Sequence, residues 1–423
     1  MQIVEVAMQS DVSEHSVSSG GCPFHSGEAQ TYPMPRGYPL DPPSALSDLR
    51  DNQPIARVRL WNGQEVWLAT RYDDVRSLLS DPRVSADTTL PDFPGHSPGM
   101  SLVRKQYRTF MSMDPPDHTF HRRMLTAEFT VKRIEQMRPR IASIVNDSID
   151  AMLAKGPPAE LIEDLALPLP SFMICDLLGV PYEDQEFFQS RAAIIASSKT
   201  SAAKAAEVTK ELCDGYLGDL IDRKTIDPQD DLLSRVIVAQ FRAGHISRQG
   251  LISVARQLLV AGHETSANTI GMGVLALLEH PAQLDALKND PSLLNGAVEE
   301  ILRYVDVAHA GRRRIAVADI EIAGCTIRAG EGIIAHNPSA NRDSRIFDDA
   351  DRFDIRRDAR HHVAFGFGVH QCLGQPLARA ELQTVFGTLF NRIPTLRLGV
   401  PISELKFKDD MFVYGAESLP VAW

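Results

Sequence analysis

Cysteine is scarce and follows no pairing pattern. Five occur in 423 residues, at positions 22, 175, 213, 325 and 372, an odd count with no C-x-x-C spacing. That argues against a disulfide framework or a zinc site and for a reducing compartment. Basic residues are also in deficit: 44 Lys and Arg face 55 Asp and Glu, a net charge of −11, which argues against nucleic acid and anionic membranes as main partners. Long apolar runs are missing. The stretch from Met1 to Met8 is interrupted by Glu5 and is too short to span a bilayer or serve as a signal core. A soluble, cytoplasmic protein with no membrane association is expected. After residue 45 there is no Gly/Ser-rich linker, repeat or low-complexity run. With 43% hydrophobic residues the chain can bury a substantial core, and residues 31–423 read as one large, mainly α domain with small β-sheets.

Residues 1–30, rich in Ser, Gly, Gln and Glu without a hydrophobic period, read as a flexible N-terminal tail. A proline-rich entry segment follows from Pro33 to Pro43. Ile55 to Ala69 alternates around Asn62-Gly63, which predicts a hairpin. A second strand pair is expected from Ile320 to Ala335, turning at Gly324 and Gly330. Val84 to Phe110 reads as a long Pro/Gly-punctuated loop of the kind that carries function. The longest helical pattern runs from Ser247, a plausible N-cap, to His280, where Pro281 stops it.

What is present concentrates in one stretch, Phe365-Gly366-Phe367-Gly368-Val369-His370-Gln371-Cys372-Leu373-Gly374. Its glycines allow tight turns and close approach to a flat ligand, and amides in such a turn can point at a thiolate. The pattern Phe-x-x-Gly-x-His-x-Cys-x-Gly resembles the haem-binding loop of cytochrome P-450 enzymes, in particular the soluble bacterial class. Mid-way along the longest helix, Ala261-Gly262-His263-Glu264-Thr265-Ser266 places a glycine and a carboxylate in apolar surroundings, against propensity and burial alike. This hexapeptide matches the family's central-helix signature at every position. Glu300-Ile301-Leu302-Arg303 matches its E-x-x-R helix.

The resemblance covers the chain from about Pro39 to Trp423 and implies a single-domain cytochrome P-450 fold. It implies haem b (heme b, iron protoporphyrin IX) as cofactor, with Cys372 as the axial iron ligand in a loop that includes Phe365, Gly366 and Gly374. His118 and Arg122, in the family's H-x-x-x-R pattern, together with Arg314 and His370, would meet the haem propionates; the run Arg312-Arg313-Arg314 leaves open whether Arg312 or Arg314 does so. Thr265 and Glu264 would deliver protons during O2 activation, with Ser266 assisting. Glu300 and Arg303, joined by Arg352 of Asp351-Arg352-Phe353, would form a structural cluster behind the cysteine loop.

The implied activity is hydroxylation or epoxidation of an apolar or amphipathic small molecule, as in secondary metabolism. The chain carries no flavin or iron–sulfur domain, so electrons are expected from a ferredoxin and a ferredoxin reductase. Substrate-pocket residues are expected in Val84 to Phe110, Leu258 to His263, Val307 to Gly311 and around Phe412. Between Arg104 and Arg140, nine basic residues face four acidic ones, a candidate docking patch for an acidic ferredoxin. The alternative is a nitric-oxide reductase of the same fold driven directly by NAD(P)H. Ser339-Ala340-Asn341-Arg342-Asp343 resembles its fungal examples, but Glu264 departs from them. A non-catalytic haem carrier or gas sensor would not require the Glu264-Thr265 pair.

Overall fold

The computed structural model describes residues 29–423. The proposed tail therefore lies outside the described residues except for Ala29 and Gln30, and Gln30 already pairs with Val58 in a sheet. Helices dominate. The largest hydrophobic cluster is built mainly from the faces of Val131–Lys155, Pro168–Leu178, Arg248–Glu279, Leu294–Val305 and Gln375–Arg392. Among the described residues, no helix is long and apolar enough to cross a membrane.

The central helix, Arg248–Glu279, has 32 residues, about 50 Å at 1.5 Å per residue. Both ends follow from sequence: the Ser247 side chain accepts from the Gly250 amide at 3.0 Å, and Pro281 begins the next helix. From Ser266 to Leu277 the central helix is buried all round, as a helix enclosed by others must be.

The predicted hairpin forms with Ile55–Arg59 antiparallel to Glu65–Ala69, Ile55 opposite Ala69. It belongs to a six-stranded sheet ordered Gln30–Thr31, Ile55–Arg59, Glu65–Ala69, Gly332–Ala335, Arg312–Ala316 and Val84–Ser85. The expected second pair is only partly as drawn. Ile320–Ile322 and Cys325–Ile327 do pair about Gly324, whose φ is +77°. Gly332–Ala335 instead leaves at Gly330 and runs between Glu65–Ala69 and Arg312–Ala316. The expected loop from Val84 to Phe110 also needs correction, because it contains strand Val84–Ser85 and helix Pro98–Gln106. Ser97 caps that helix and Pro98 opens it, so residues that look like loop punctuation here act as a helix start.

Cys175, Cys213 and Cys372 are free thiols, whereas Cys325 is disulfide-bonded.

Candidate active site

The cysteine loop is pinned at its ends. The Cys372 amide donates to the Phe365 carbonyl at 2.8 Å, and the Phe365 ring lies 4.7 Å beneath the Arg379 guanidinium. Gly366 and Gly368 both have positive φ, +73° and +71°, but their roles differ. A Cβ on Gly368 would strike the Leu79 carbonyl oxygen at 2.4 Å, so that glycine serves packing. A Cβ on Gly366 would meet nothing nearer than Arg312 Nε at 3.8 Å; Gly366 borders open space, as a cradle for a flat ligand requires. Cys372 lies deep in the chain yet keeps accessible surface. Burial raises its thiol pKa, opposed by the Gly374 amide, by Arg312 and Arg122, and by the Gln375 amide. These donors and the N-terminus of helix Gln375–Arg392 favour a thiolate once a cation is present to meet it.

Cations converge on the same space. The His118 and His370 rings are 4.3 Å apart. His118 is buried, and neither of its ring nitrogens has a hydrogen-bond partner, an arrangement that costs energy unless a ligand completes it. The Arg122 guanidinium makes no hydrogen bond or ion pair among the described residues, and the Cys372 sulfur is the one charge that counters its burial. Burial, then Arg314, His118 and Arg122, push His370 down to about 2. Strand alternation divides the arginine run. Arg312 donates to the Ala364 carbonyl at 3.1 Å, and Arg314 lies among His118, His370 and Arg312. Arg313 points the other way, to the Gly95 carbonyl and Tyr32. Both Arg312 and Arg314 thus face the site. Orphaned nitrogens, unpaired guanidinia and the Gly366 cradle fit a flat dianionic group with a metal at the sulfur, as haem b would be.

The Glu300 cluster is fully satisfied by contrast. Arg303 Nε and Nη2 donate to the Glu300 carboxylate at 2.7 and 2.8 Å, with both side chains fully buried. Arg303 Nη1 donates to the carbonyls of Asn341 and Ala350, each at 2.7 Å. Arg352 does not join them as expected. Its side chain is 62% exposed and pairs with Asp354 and Asp349, and it contributes only its carbonyl to Arg303. The third member is Arg357, whose Nε lies 3.3 Å from Glu300. Chain direction at the Asp351-Arg352-Phe353 turn, with Phe353 buried, sends the Arg352 side chain outward.

On the central helix, burial is interrupted from Val260 to Thr265, except at His263. Thr265 Oγ1 donates to the Ala261 carbonyl at 2.9 Å. The Glu264 side chain is 14% exposed, so it does not simply face solvent, and it accepts from Asn268 Nδ2 at 3.2 Å. Asn268 Oδ1 in turn accepts from Lys408 at 3.2 Å. Gly262 has the plainer role, since its missing Cβ admits Ile174 at 3.0 Å. Three of the four predicted pocket segments meet, through residues near His96, His309 and Phe412. Phe412 stands edge-on to His96 at 4.7 Å, and its amide donates to the Ala196 carbonyl. Tyr414 donates its amide to the Val307 carbonyl, and His309 donates to the Met411 carbonyl at 2.8 Å.

Sequence reasoning missed Glu381. This carboxyl is buried on helix Gln375–Arg392, has one oxygen without a partner, and faces Ser266 of the central helix. Burial raises it to about 8 against the pull of Ser266, so it holds a proton at neutral pH. An acid within the otherwise apolar face Leu377, Ala380, Leu382 and Val385 is the signal that could have found it.

The cytochrome P450 family profile matches residues 199–393. A vitamin D3 dihydroxylase of Streptomyces griseolus is 46% identical over 94% of this chain and 97% of its own length. A pentalenic acid synthase of Streptomyces avermitilis is 47% identical over 93% and 97%. Among solved structures, the mycinamicin VIII C21 methyl hydroxylase of Micromonospora griseorubida, bound to mycinamicin VIII, superposes with a TM-score of 0.87 at 41% identity, covering 93% of this chain and all of that one. Similarity this high, sustained over nearly the whole of each chain in sequence and in fold, means that the chain belongs to the cytochrome P450 family and is a haem-thiolate monooxygenase.

Proposed function

We propose that Cys372 is the axial ligand of haem b, that Arg122, Arg312 and Arg314 neutralise its propionates while His118 and His370 donate hydrogen bonds to them, and that Glu264 and Thr265 deliver protons during hydroxylation or epoxidation of an apolar or amphipathic small molecule. The observation that carries this is the pair of orphaned nitrogens on buried His118, 4.3 Å from His370, beside an interior thiol. The bound haem supplies the redox centre at which O2 is activated. Around it, the amides of Gly374 and Gln375 steady the sulfur's negative charge. The Thr265 hydroxyl both donates and accepts; its bond to Ala261 is the one it would exchange to serve the site. Glu264 lies one residue away, reached from the surface through Lys408 and Asn268, a route along which a carboxylate can be reprotonated. Glu381, on helix Gln375–Arg392, with Ser266 of the central helix is a second proton reserve.

Electrons would come from a ferredoxin and its reductase, in the cytoplasm. The charged segment expected to dock them is thinner in three dimensions than in sequence. Arg108, Arg133, Arg138 and Arg140 are engaged by Asp87, Glu128, Glu135 and Asp176, and Arg104 faces inward. Exposed Lys105, Arg123 and Lys132, the last two near exposed Phe120 and Val131, remain for the partner. Reversing the charges of Arg123 and Lys132 should slow reduction and flatten its fall with ionic strength.

The test of the whole reading is spectroscopic and catalytic. The reduced carbon monoxide complex should show the red-shifted band of thiolate ligation, and Cys372→His should abolish it. Thr265→Ala should retain haem and substrate binding but release peroxide in place of product. With ferredoxin, the reductase and labelled O2, product should carry oxygen-18. Fast NADH oxidation driven by nitric oxide with no protein partner would overturn this reading.

A further inference from the structure

One cation in the interior is left over after the haem charges are balanced. Arg104 lies on helix Pro98–Gln106, packed deep in the chain yet with accessible surface, so its guanidinium faces an internal space. Its neighbours are an apolar ring and more cations: it stands 5.4 Å from the centre of the Phe412 ring, whose edge contact is His96. The charges acting on it are, in order, Arg313, Arg256, Arg314 and Arg312, with no carboxylate among them. Burial and these four arginines push it down to about 9, which still leaves it charged at neutral pH.

The four neighbouring arginines each donate to a backbone carbonyl: Arg256 to Tyr107, Arg312 to Ala364, Arg313 to Gly95 and Arg314 to Arg313. Arg104 alone of the five makes no hydrogen bond and no ion pair through its guanidinium among the described residues. An unsatisfied interior guanidinium is costly. Arg104 belongs with Phe412 and His96, in the wall that also meets Ala196.

Resting on the monooxygenase reading above, we infer that Arg104 is a specificity-determining residue that binds the carboxylate of an amphiphilic organic acid, with the acid's apolar body against Phe412 and the Ala261–Thr265 stretch. A planar guanidinium with free N–H groups suits a carboxylate in two-pronged geometry. The aromatic wall suits hydrocarbon, and the pocket thereby selects by charge at one end and by shape along the rest.

The test uses the haem-loaded enzyme after its thiolate carbon monoxide band has been verified, so that failure of the family chemistry is seen separately. A panel of carboxylic acids from acyclic to tetracyclic is titrated, each beside the primary alcohol of the same skeleton, with the substrate-induced Soret shift as readout. At least one acid should bind about tenfold or more tighter than its alcohol. That ratio should fall to about one in Arg104→Gln and to an intermediate value in Arg104→Lys. If Arg104→Gln fails to retain haem, the decision passes to Arg104→Lys, where a short flexible ammonium should weaken the preference without removing it. An enzyme in which no acid outbinds its alcohol, or in which the preference persists undiminished in these variants, would overturn the inference.

Discussion

Two buried charged clusters stand behind and around the cysteine loop, and they obey opposite rules. Around Glu300, a carboxylate and two guanidinia meet in bidentate and carbonyl contacts, and no charge lacks a partner. Around His118, five groups of one sign or potential sign (His118, His370, Arg122, Arg312 and Arg314) share a space with no carboxylate ion-paired to any of them, and two ring nitrogens are bare. Both are costly to bury. The first has offset its cost within the protein and is therefore architecture; the second has not, which is why it carries the proposal of a binding site. Arg104 repeats the second pattern beside Phe412.

The largest expected effect comes from opening the paired cluster. Arg303→Met leaves the Glu300 carboxylate buried with Arg357 as its one cation and the Asp354 amide as its other donor, which should cost about 3–5 kcal/mol. Thermal or urea unfolding of the purified enzyme would show it, and a stability change near zero would remove the cluster from the architecture. Glu381 tests the same logic for a lone acid. Its folded pKa of about 8 lies above the ordinary 4.5, so the folded state keeps a proton that the unfolded state releases. Stability should therefore fall as pH rises from about 4.5 to 8, by at most about 1.4 kcal/mol per pH unit. Glu381→Gln should flatten that slope; an identical slope in both proteins would mean that the carboxyl is solvated.

A smaller effect is expected in the unpaired cluster, with the opposite sense for the empty chain. His118→Phe removes two unsatisfied nitrogens, so the haem-free protein should be no less stable, while haem should dissociate about tenfold faster. Haem transfer to an acceptor protein would measure the rate, and unchanged retention would break the contrast between the clusters. The smallest effect separates two neighbouring arginines. Arg352→Ala should change stability by about 0.5 kcal/mol or less, as for an exposed pair, whereas Arg357→Ala should cost measurably more. Equal losses would restore Arg352 to the cluster.

Much of the fold and of the site could be read in advance because it is local. The central helix from its Ser247 cap to Pro281 is set by a serine, a periodic apolar run and a proline, all adjacent in the chain. The Asn62-Gly63 hairpin and the loop around Cys372 are likewise short-range, and Glu300 with Arg303 is an i, i+3 pair on one helical face. The Pro98–Gln106 helix was hidden because serine, proline and glycine punctuate loops and open helices alike.

What the sequence by itself determined, then, is the turn that holds Cys372, the placing of Glu264 and Thr265 on the longest helix, and the helical frame that carries them. Only the tertiary structure decided that Arg357 and not Arg352 completes the Glu300 cluster, that Arg312 and Arg314 share one face, that Gly262 serves packing, that Glu381 is buried with only Ser266 beside it, and that the Arg104 guanidinium has no hydrogen-bond or ion-pair partner among the described residues. The physical reason is that a backbone turn or a helix cap is fixed by residues a few positions apart. The pairing of a buried charge, by contrast, is fixed by whichever side chains the fold brings within hydrogen-bond reach from distant parts of the chain.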